Sequence, residues 1–243
     1  MIELIQRRIG RVGSESSEEL VRILNRVVFA DTDDFLELTR LAGLSPLESY
    51  AGQNLVGVVL DKSDLANADL SHALLIRASL IGAELSSANF TGTDLTNACL
   101  RSASLISATF LGADLTHADL TGVNLTNARL VNSILKMADL SDANCFCAEL
   151  RYSDLTGAAL CRARLQESNL ASCNFRRANL SNADLQGANL FGADLSGAFL
   201  YRVNFSDTSM DGVTVTGSRF SNNRGISRDL RRKLIQRGAT FED

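Results

Sequence analysis

The sequence has no tryptophan, a single proline and only two histidines in 243 residues. Its N-terminus contains no apolar run of signal-peptide or membrane-span length, and carries charge at Glu3, Arg7, Arg8 and Arg11. We therefore expect a cytoplasmic protein that does not bind a membrane. The five cysteines are an odd set without a disulfide spacing pattern, which predicts free thiols in a reducing compartment.

The sequence also lacks an excess of basic charge. Lys and Arg number 24 and Asp and Glu number 28, a net of −4, which argues against direct binding of nucleic acid. The two ends differ, since residues 1–50 hold nine acidic and six basic residues whereas residues 221–243 hold three acidic and six basic ones. The basic end is expected to be a solvated helix face or to contact an acidic partner.

What the sequence does contain is a five-residue repeat that runs without insertion or deletion from residue 55 to residue 220. Every residue number divisible by five is a key position: 26 of the 34 are Leu and five are Phe, the exceptions being Cys145, Met210 and Val215. The residue two places earlier is Ala in 21 cases and Ser, Thr, Cys or Val in 12, with Gln53 the one exception. A period this strict is typical of a solenoid, in which each repeat contacts mainly its neighbours.

A period of five excludes the common secondary structures. In a helix it would rotate the Leu row by about 140° at each repeat, so that no face would remain apolar. A strand needs a period of two. We therefore expect each repeat to form a short extended segment and a turn, with the key residue and the small residue pointing inward and the other three facing water.

The repeats resemble those of the pentapeptide-repeat family, because ANFTG, ADLTH, ANLSN, ADLQG, ANLFG and ADLSG match its A(D/N)LXX motif. The resemblance implies a mainly β solenoid, a right-handed quadrilateral parallel β-helix with four repeats to a coil. Thirty-four repeats would then give about eight coils and, at about 4.8 Å between rungs, a rod about 40 Å long. Helical flanks like those described next are usual in cyanobacterial-type members.

We predict three regions in chain order: an α-helical N-terminal cap domain at 1–50, the pentapeptide-repeat β-helix at 51–220, and a C-terminal capping helix and tail at 221–243. In the last region Ser227 is expected to cap a helix through Gln236, with Leu230, Leu234 and Ile235 facing inward. The helical regions would cover the unpaired rungs at the two ends of the rod.

No catalytic or metal-binding constellation emerges from the sequence. His72 and His117 occupy the outward second position after a key residue and belong to different walls, so both are expected to be solvated. Cys145 and Cys147 form a C-x-C without a second pair, which gives little support to a zinc or redox site. We expect no enzymatic activity and no cofactor, because a convex rod offers no cleft.

The resemblance implies one specific function to weigh, since some family members inhibit DNA gyrase as acidic mimics of duplex DNA. A 40 Å mimic would need about 24 negative charges, whereas residues 51–220 hold sixteen acidic and twelve basic residues. The longest acidic column at twenty-residue spacing is broken by Ile134 and Asn174 and consists of Asp94, Asp114, Asp154 and Asp194. Inhibition or protection of gyrase or another topoisomerase is therefore kept as the alternative function.

Apolar residues at outward positions point instead to a protein partner. Leu111, Val131 and Phe191 share one twenty-residue column, with Arg151 and Ala171 between them. An exposed apolar strip on a rigid wall is typical of a partner surface, although scattered surface Leu and Val are common. We predict a non-enzymatic interaction scaffold, a monomer or weak dimer, that binds an unidentified protein partner through Leu111, Val131, Arg151 and Phe191. Other outward apolar residues are expected to receive the helical caps: Leu74, Ile76, Ile81, Phe199 and Tyr201.

Overall fold

The computed structural model describes residues 50–242, in which isolated parallel bridges predominate over long strands. Each bridge joins a residue to the one twenty positions later, from Asn54 with Leu74 to Asn204 with Arg224. Four repeats therefore complete one coil of a parallel β-helix before the chain returns to the same wall. The register does not shift between these limits, so this part of the chain has no projecting loop. The helices predicted for residues 1–49 lie outside the described residues, and the three-region division stays a prediction.

Four backbone hydrogen bonds recur in each repeat, one of which joins the N–H of the second residue after the key residue to the next coil, as from Asn67 to Ser86 at 2.9 Å. The N–H of Leu65 donates to the carbonyl of Glu84 on the next coil, at 2.8 Å, and the N–H of Glu84 donates back to Ser63, at 2.9 Å. The remaining bond, from the N–H of Ala68 to the carbonyl of Leu65 at 3.0 Å, closes the turn within the repeat. Because only one residue per repeat forms a bridge, most repeats are too short to count as strands.

The predicted inward positions are confirmed. Every key residue from Leu55 to Phe220 is buried, and the most exposed of them, Met210, shows 6% of its surface. The small residues two places earlier are buried too, apart from Val58 and Thr208, which are partly exposed. Complete burial of one Leu contributes about 1.5–3 kcal/mol. Because a buried key residue returns every five positions, the repeat by itself builds the apolar core.

The turns explain why Asp and Asn precede the key residue so often. The Oδ1 atom of Asp69 accepts a hydrogen bond from the N–H of Ser71, at 3.0 Å, and Asn89 does the same for Thr91 at 3.1 Å. Short polar side chains favour this kind of local turn. The second residue after each key residue then adopts a positive φ, as at Asn97 with φ 57°.

The regular coils end in three short strands and one helix, in chain order β1 (Phe199–Tyr201), β2 (Arg219–Ser221), α1 (Arg228–Gln236) and β3 (Thr240–Phe241). β1 pairs with β2 and β2 with β3, both in parallel. The sequence predicted a tail where β3 lies. Instead β3 adds one more rung, and the ring of Phe241 stacks on that of Phe220 with centroids 4.7 Å apart.

Helix α1 begins and ends where the sequence predicts, but one of its inward residues was assigned wrongly. Ser227 is the N-cap, and its side chain accepts from the N–H of Leu230 at 3.1 Å. Leu234 is fully buried and Leu230 packs against the core. Ile235 is 49% exposed, contrary to prediction. The reason is helical geometry, because residues four apart share a face whereas the next residue is turned by about 100°.

Candidate functional site

The predicted partner-binding residues lie in one column of a single wall, with Ala171 on the rung between Arg151 and Phe191. The residue that follows each member of this column in the chain donates its N–H to the carbonyl of the next member, one coil later, at distances from 2.8 to 3.2 Å. At about 4.8 Å between rungs, the column is about 19 Å long. We call this column the apolar stripe, and its members are Leu111, Val131, Arg151, Ala171 and Phe191.

The stripe is most exposed at one end and at its centre. The side chain of Phe191 is 58% exposed, whereas Leu111 and Val131 are half-buried. At the centre Arg151 is exposed, and its Nε donates to Glu149 Oε2 at 3.1 Å. Arg151 is thus held by a neighbouring carboxylate on the same wall.

The sequence did not predict Tyr152, which is 61% exposed and directly follows Arg151. Its φ is 63°, which is unusual for a bulky residue. The sequence does carry a signal for Tyr152, since it is an aromatic residue at a turn position of the repeat that faces outward. With Tyr152 the wall has an exposed aromatic near the middle of the stripe as well as at its end.

Other exposed apolar residues lie away from the stripe. Ile106 and Phe146 are 37% and 39% exposed, and both directly follow a key residue on a different column, two coils apart. Near the first described rung, Leu74 is 41% exposed. Its role as a landing site for the N-terminal cap stays a prediction, because residues 1–49 lie outside the described residues. The remaining exposed large aliphatic side chains of the repeats are Val56, Val59, Ile134 and Met137.

The outward aromatics near the C-terminal end contact each other and a cation. The rings of Phe199 and Tyr201 are 6.1 Å apart, and the guanidinium of Arg219 lies 5.6 Å from the centre of the Phe199 ring. Both aromatics belong to β1, which pairs with β2 on one side and with the preceding coil, at Asn179, on the other. The two rings thus contact each other and a residue of β2, all within the sheet.

The acidic column forms as predicted, but its carboxylates have structural roles. Parallel bridges link Asp94 to Asp114 and then, through Ile134 and Asn174, to Asp154 and Asp194. In each of the four aspartates Oδ1 accepts from the N–H two residues later, at 2.9–3.0 Å. One oxygen of every carboxylate is therefore occupied in closing its own turn.

Two of these aspartates also have cationic partners. Lys136 Nζ lies 3.3 Å from Asp154 Oδ2, and Arg176 lies 3.5 Å from Asp194 Oδ2. Burial opposes ionisation of Asp154, but hydrogen bonds from Thr156 and from Lys136 still hold its pKa below the ordinary value. Only Asp94 and Asp114 remain in the column without a salt bridge among residues 50–242.

The residues with catalytic potential are not brought together. His72 and His117 are exposed at turn positions with φ of 56° and 58°. Cys145 and Cys173 are buried, and burial raises the pKa of each thiol to about 12, so neither is a nucleophile at neutral pH. Between residues 50 and 242, no group of three His, Cys, Asp or Glu side chains is placed to hold a metal ion. None of the helices in this range is long and apolar enough to cross a membrane.

A parallel β-helix of five-residue rungs with a continuous Leu and Ala core defines a solenoid repeat protein. The chain belongs to the pentapeptide repeat family, whose model matches eight copies of the repeat. The matched residues are 68–110, 98–136, 108–144, 143–182 and 183–222. Family membership supports the right-handed quadrilateral form of the β-helix expected from the sequence.

Solved structures of three family members are similar to this chain. HetL, a pentapeptide repeat protein involved in heterocyst differentiation regulation from the cyanobacterium Nostoc sp., is 28% identical over 78% of this chain and 94% of that chain, with a TM-score of 0.36. A trypsin-treated form of QnrB1, a plasmid-mediated fluoroquinolone resistance protein, is 17% identical over 76% and 96%, with a TM-score of 0.51. Rfr23 from the cyanobacterium Cyanothece is 23% identical over 72% and 88%, with a TM-score of 0.25. No curated protein matches the sequence significantly. The likeness to QnrB1 shows the fold alone.

Proposed function

We propose that the protein is a rigid, non-enzymatic scaffold that binds a protein partner through the apolar stripe. The observation that carries the proposal is the exposure of two aromatic side chains on that wall, 58% for Phe191 and 61% for Tyr152. Aromatic and Arg side chains are the residues that most often dominate the energy of protein interfaces. The wall combines both kinds, because Arg151 lies beside Tyr152.

The backbone under the stripe favours binding because it is already ordered. Each rung is joined to the next by hydrogen bonds on both sides, so little backbone entropy remains to be lost when a partner docks. A stripe about 19 Å long accommodates about three turns of a partner helix at 5.4 Å per turn. We therefore expect the partner to present the apolar face of a helix.

Protein binding is preferred over DNA mimicry because of how the acidic column is neutralised. Asp154 and Asp194 each have a cation within 3.5 Å. A mimic of duplex DNA would need continuous, unpaired negative charge along the rod.

Capture from extracts of the native cell, followed by affinity measurement with the captured partner, tests the proposal. The double variant Leu111→Asp with Phe191→Asp should abolish binding, because it introduces negative charge at both ends of the apolar stripe. The matched control replaces Ile106 and Phe146 by Asp, again one aliphatic and one aromatic residue at the same repeat position but on another column. This control should bind the partner as the natural chain does.

Two results would overturn the proposal. The first is equal partner capture by the stripe variant and by the natural chain, with both folded by circular dichroism. The second is inhibition of DNA supercoiling by gyrase at micromolar protein that disappears in an Asp94→Asn, Asp114→Asn variant, which would establish the alternative instead. We expect supercoiling to be unaffected.

A further inference from the structure

One corner of the β-helix near its C-terminal end contains a cavity of about 560 Å³, open to solvent and lined almost wholly by polar side chains. We call it the corner cavity. Its polar residues come from three successive coils, two per coil at matching positions of the repeat: Asn182 and Asp184, Arg202 and Asn204, and Asn222 and Arg224. A volume of this size lies in the range of small-molecule sites.

Two arginines of the cavity are free to bind a ligand. Arg202 and Arg224 are exposed, and neither forms an ion pair with any residue in the range 50–242. A guanidinium without a carboxylate partner keeps its planar fork of N–H donors available. In a chain of net charge −4, two such groups on neighbouring coils are a local concentration of positive charge.

Comparison along the same corner shows why Arg202 is unpaired. Two coils earlier, Arg162 occupies the same turn position and binds Asp142 of the preceding coil through two hydrogen bonds, both of 2.6 Å. The residue one coil before Arg202 in that column is Asn182. An amide in place of a carboxylate leaves the arginine without a counter-charge, although the backbone geometry is the same, with φ of 61° at Arg162 and 57° at Arg202.

The one acidic residue of the cavity is already engaged. Asp184 Oδ1 accepts from Asn204 Nδ2 at 2.8 Å and from the N–H of Gln186 at 3.1 Å, and Asp184 Oδ2 accepts from Gln166 Nε2 at 2.8 Å. Asp184 therefore holds Asn204 and Gln166 in place rather than pairing with an arginine. The charged lining residues, Arg202, Arg224 and Asp184, sum to +1, which favours an anionic ligand.

We propose that the corner cavity binds the phosphate of an organic phosphate monoester between Arg202 and Arg224. Guanidinium groups match the oxygens of phosphate in bidentate geometry. A phosphate monoester carries about −1.5 to −2 at neutral pH, which suits two arginines better than the single charge of a carboxylate. The cavity is larger than one phosphate, so the organic part also lies within it, beside the amide of Asn182. This site is separate from the apolar stripe and does not depend on the function proposed for it.

Isothermal titration calorimetry of the full chain tests the ligand class. The probes are AMP, O-phosphoserine and inorganic phosphate, with adenosine and glutamate as controls. We expect AMP or O-phosphoserine to bind at submillimolar concentration and more tightly than inorganic phosphate, and both controls to fail; binding of inorganic phosphate alone overturns the proposal. Stronger binding of AMP identifies a nucleotide-like ligand, and stronger binding of O-phosphoserine identifies a phosphorylated peptide. No binding of any phosphate probe at about 1 mM, or binding of adenosine or glutamate as tight as that of the phosphate probes, overturns the proposal.

Substitutions then locate the site. Arg202→Gln and Arg224→Gln should each weaken binding about tenfold or more, because each removes charge-assisted hydrogen bonds. The matched control is Arg177→Gln, since Arg177 is also exposed and without an ion pair in the described range, and has φ 59° at the same position of the repeat. It should bind as the natural chain does.

The sharpest variant is Asn182→Asp, which should recreate at Arg202 the pair seen at Asp142 and Arg162. We expect it to lose phosphate binding while the fold is retained and is no less stable to heat, because the side chain replaced is on the surface and gains an ion pair. Unchanged affinity in this variant, or equal loss in Arg177→Gln, would refute the site.

Discussion

Replacement of Gly225 by alanine is the most direct test of how the last coil is held. Gly225 has φ +81°, and an added Cβ would lie 2.3 Å from the carbonyl carbon of Phe205 and 2.3 Å from the nitrogen of Ser206. Separations under 3.0 Å are essentially never seen for real Cβ atoms. Both neighbours are backbone atoms, so no side-chain rotation relieves the overlap.

The cost has two parts. A residue with a Cβ in the left-handed region loses about 1–2 kcal/mol. To reach an ordinary contact of 3.4 Å, the rung must also move away from the preceding coil. That movement breaks two bonds of the ladder, from Arg224 N–H to Val203 at 3.0 Å and from Phe205 N–H to Arg224 at 2.9 Å. At about 1 kcal/mol each, the total is about 3–4 kcal/mol.

Native-state hydrogen exchange measures this loss where it occurs. The end of a solenoid opens separately from its middle, so amides of residues 226–242 should exchange more than about a hundredfold faster in Gly225→Ala. The control is Gly217→Ala, because Gly217 has φ +70° but no atom within 4 Å of an added Cβ. It should lose only the conformational part, about 1–2 kcal/mol. Equal acceleration in the two variants would refute the reasoning that close backbone approach, rather than φ alone, selects glycine at 225.

Three further predictions concern the core, the thiols and one surface pair. Phe90→Ala should lower the free energy of unfolding by about 3–5 kcal/mol in urea titration, because the Phe90 ring is fully buried and stacks on the next coil with centroids 4.6 Å apart; a loss below 1 kcal/mol would contradict this. Alkylation of the native protein at pH 8 should spare Cys145 and Cys173, whose burial raises each pKa to about 12; mass spectrometry should find both labelled only after denaturation. The hydrogen bond from Arg162 lowers the pKa of Asp142 below its ordinary value of 3.8, so this pair stabilises the fold at neutral pH and is lost only as the pH falls through that lowered pKa. Arg162→Gln should return the Asp142 titration, followed by NMR, toward 3.8, and an unchanged titration would exclude the pair as the cause.

The core could be predicted from the sequence because a solenoid buries each repeat against its neighbours. The same five positions recur, so one repeat determines which side chains of the next point inward. Helix α1 was predictable for a local reason too, since Ser227 and Gly238 mark its two ends. Strand β3 was not, because two residues, Thr240 and Phe241, make no pattern; what holds them is parallel pairing with β2 and the ring of Phe220, which lies one coil earlier.

Which outward side chains are available to a partner was harder to predict, because a count of charges does not show which carboxylates are already hydrogen-bonded or paired. Asp94 and Asp154 look alike in the repeat, yet only Asp154 has a lysine across the coil. Both also use one oxygen to close a turn, which explains why the repeat selects Asp or Asn at that position whatever the function. An acidic column in such a rod is therefore weak evidence for DNA mimicry.

Departures from the repeat are more informative when each is compared with the residue one coil before it. The regular turn needs no arginine and no tyrosine, so these residues are not explained by folding. Asn182 illustrates the point: as a sequence letter it is an ordinary turn residue, but stacked beneath Arg202 it removes the counter-charge that Asp142 supplies to Arg162. Because the backbone repeats and only the side chain differs, the free guanidinium is a property of this position and not of the fold. Tyr152 is a second example, because the residue one coil earlier at the same turn position is Asn132. The exposed ring is therefore a property of position 152 and not of the repeat.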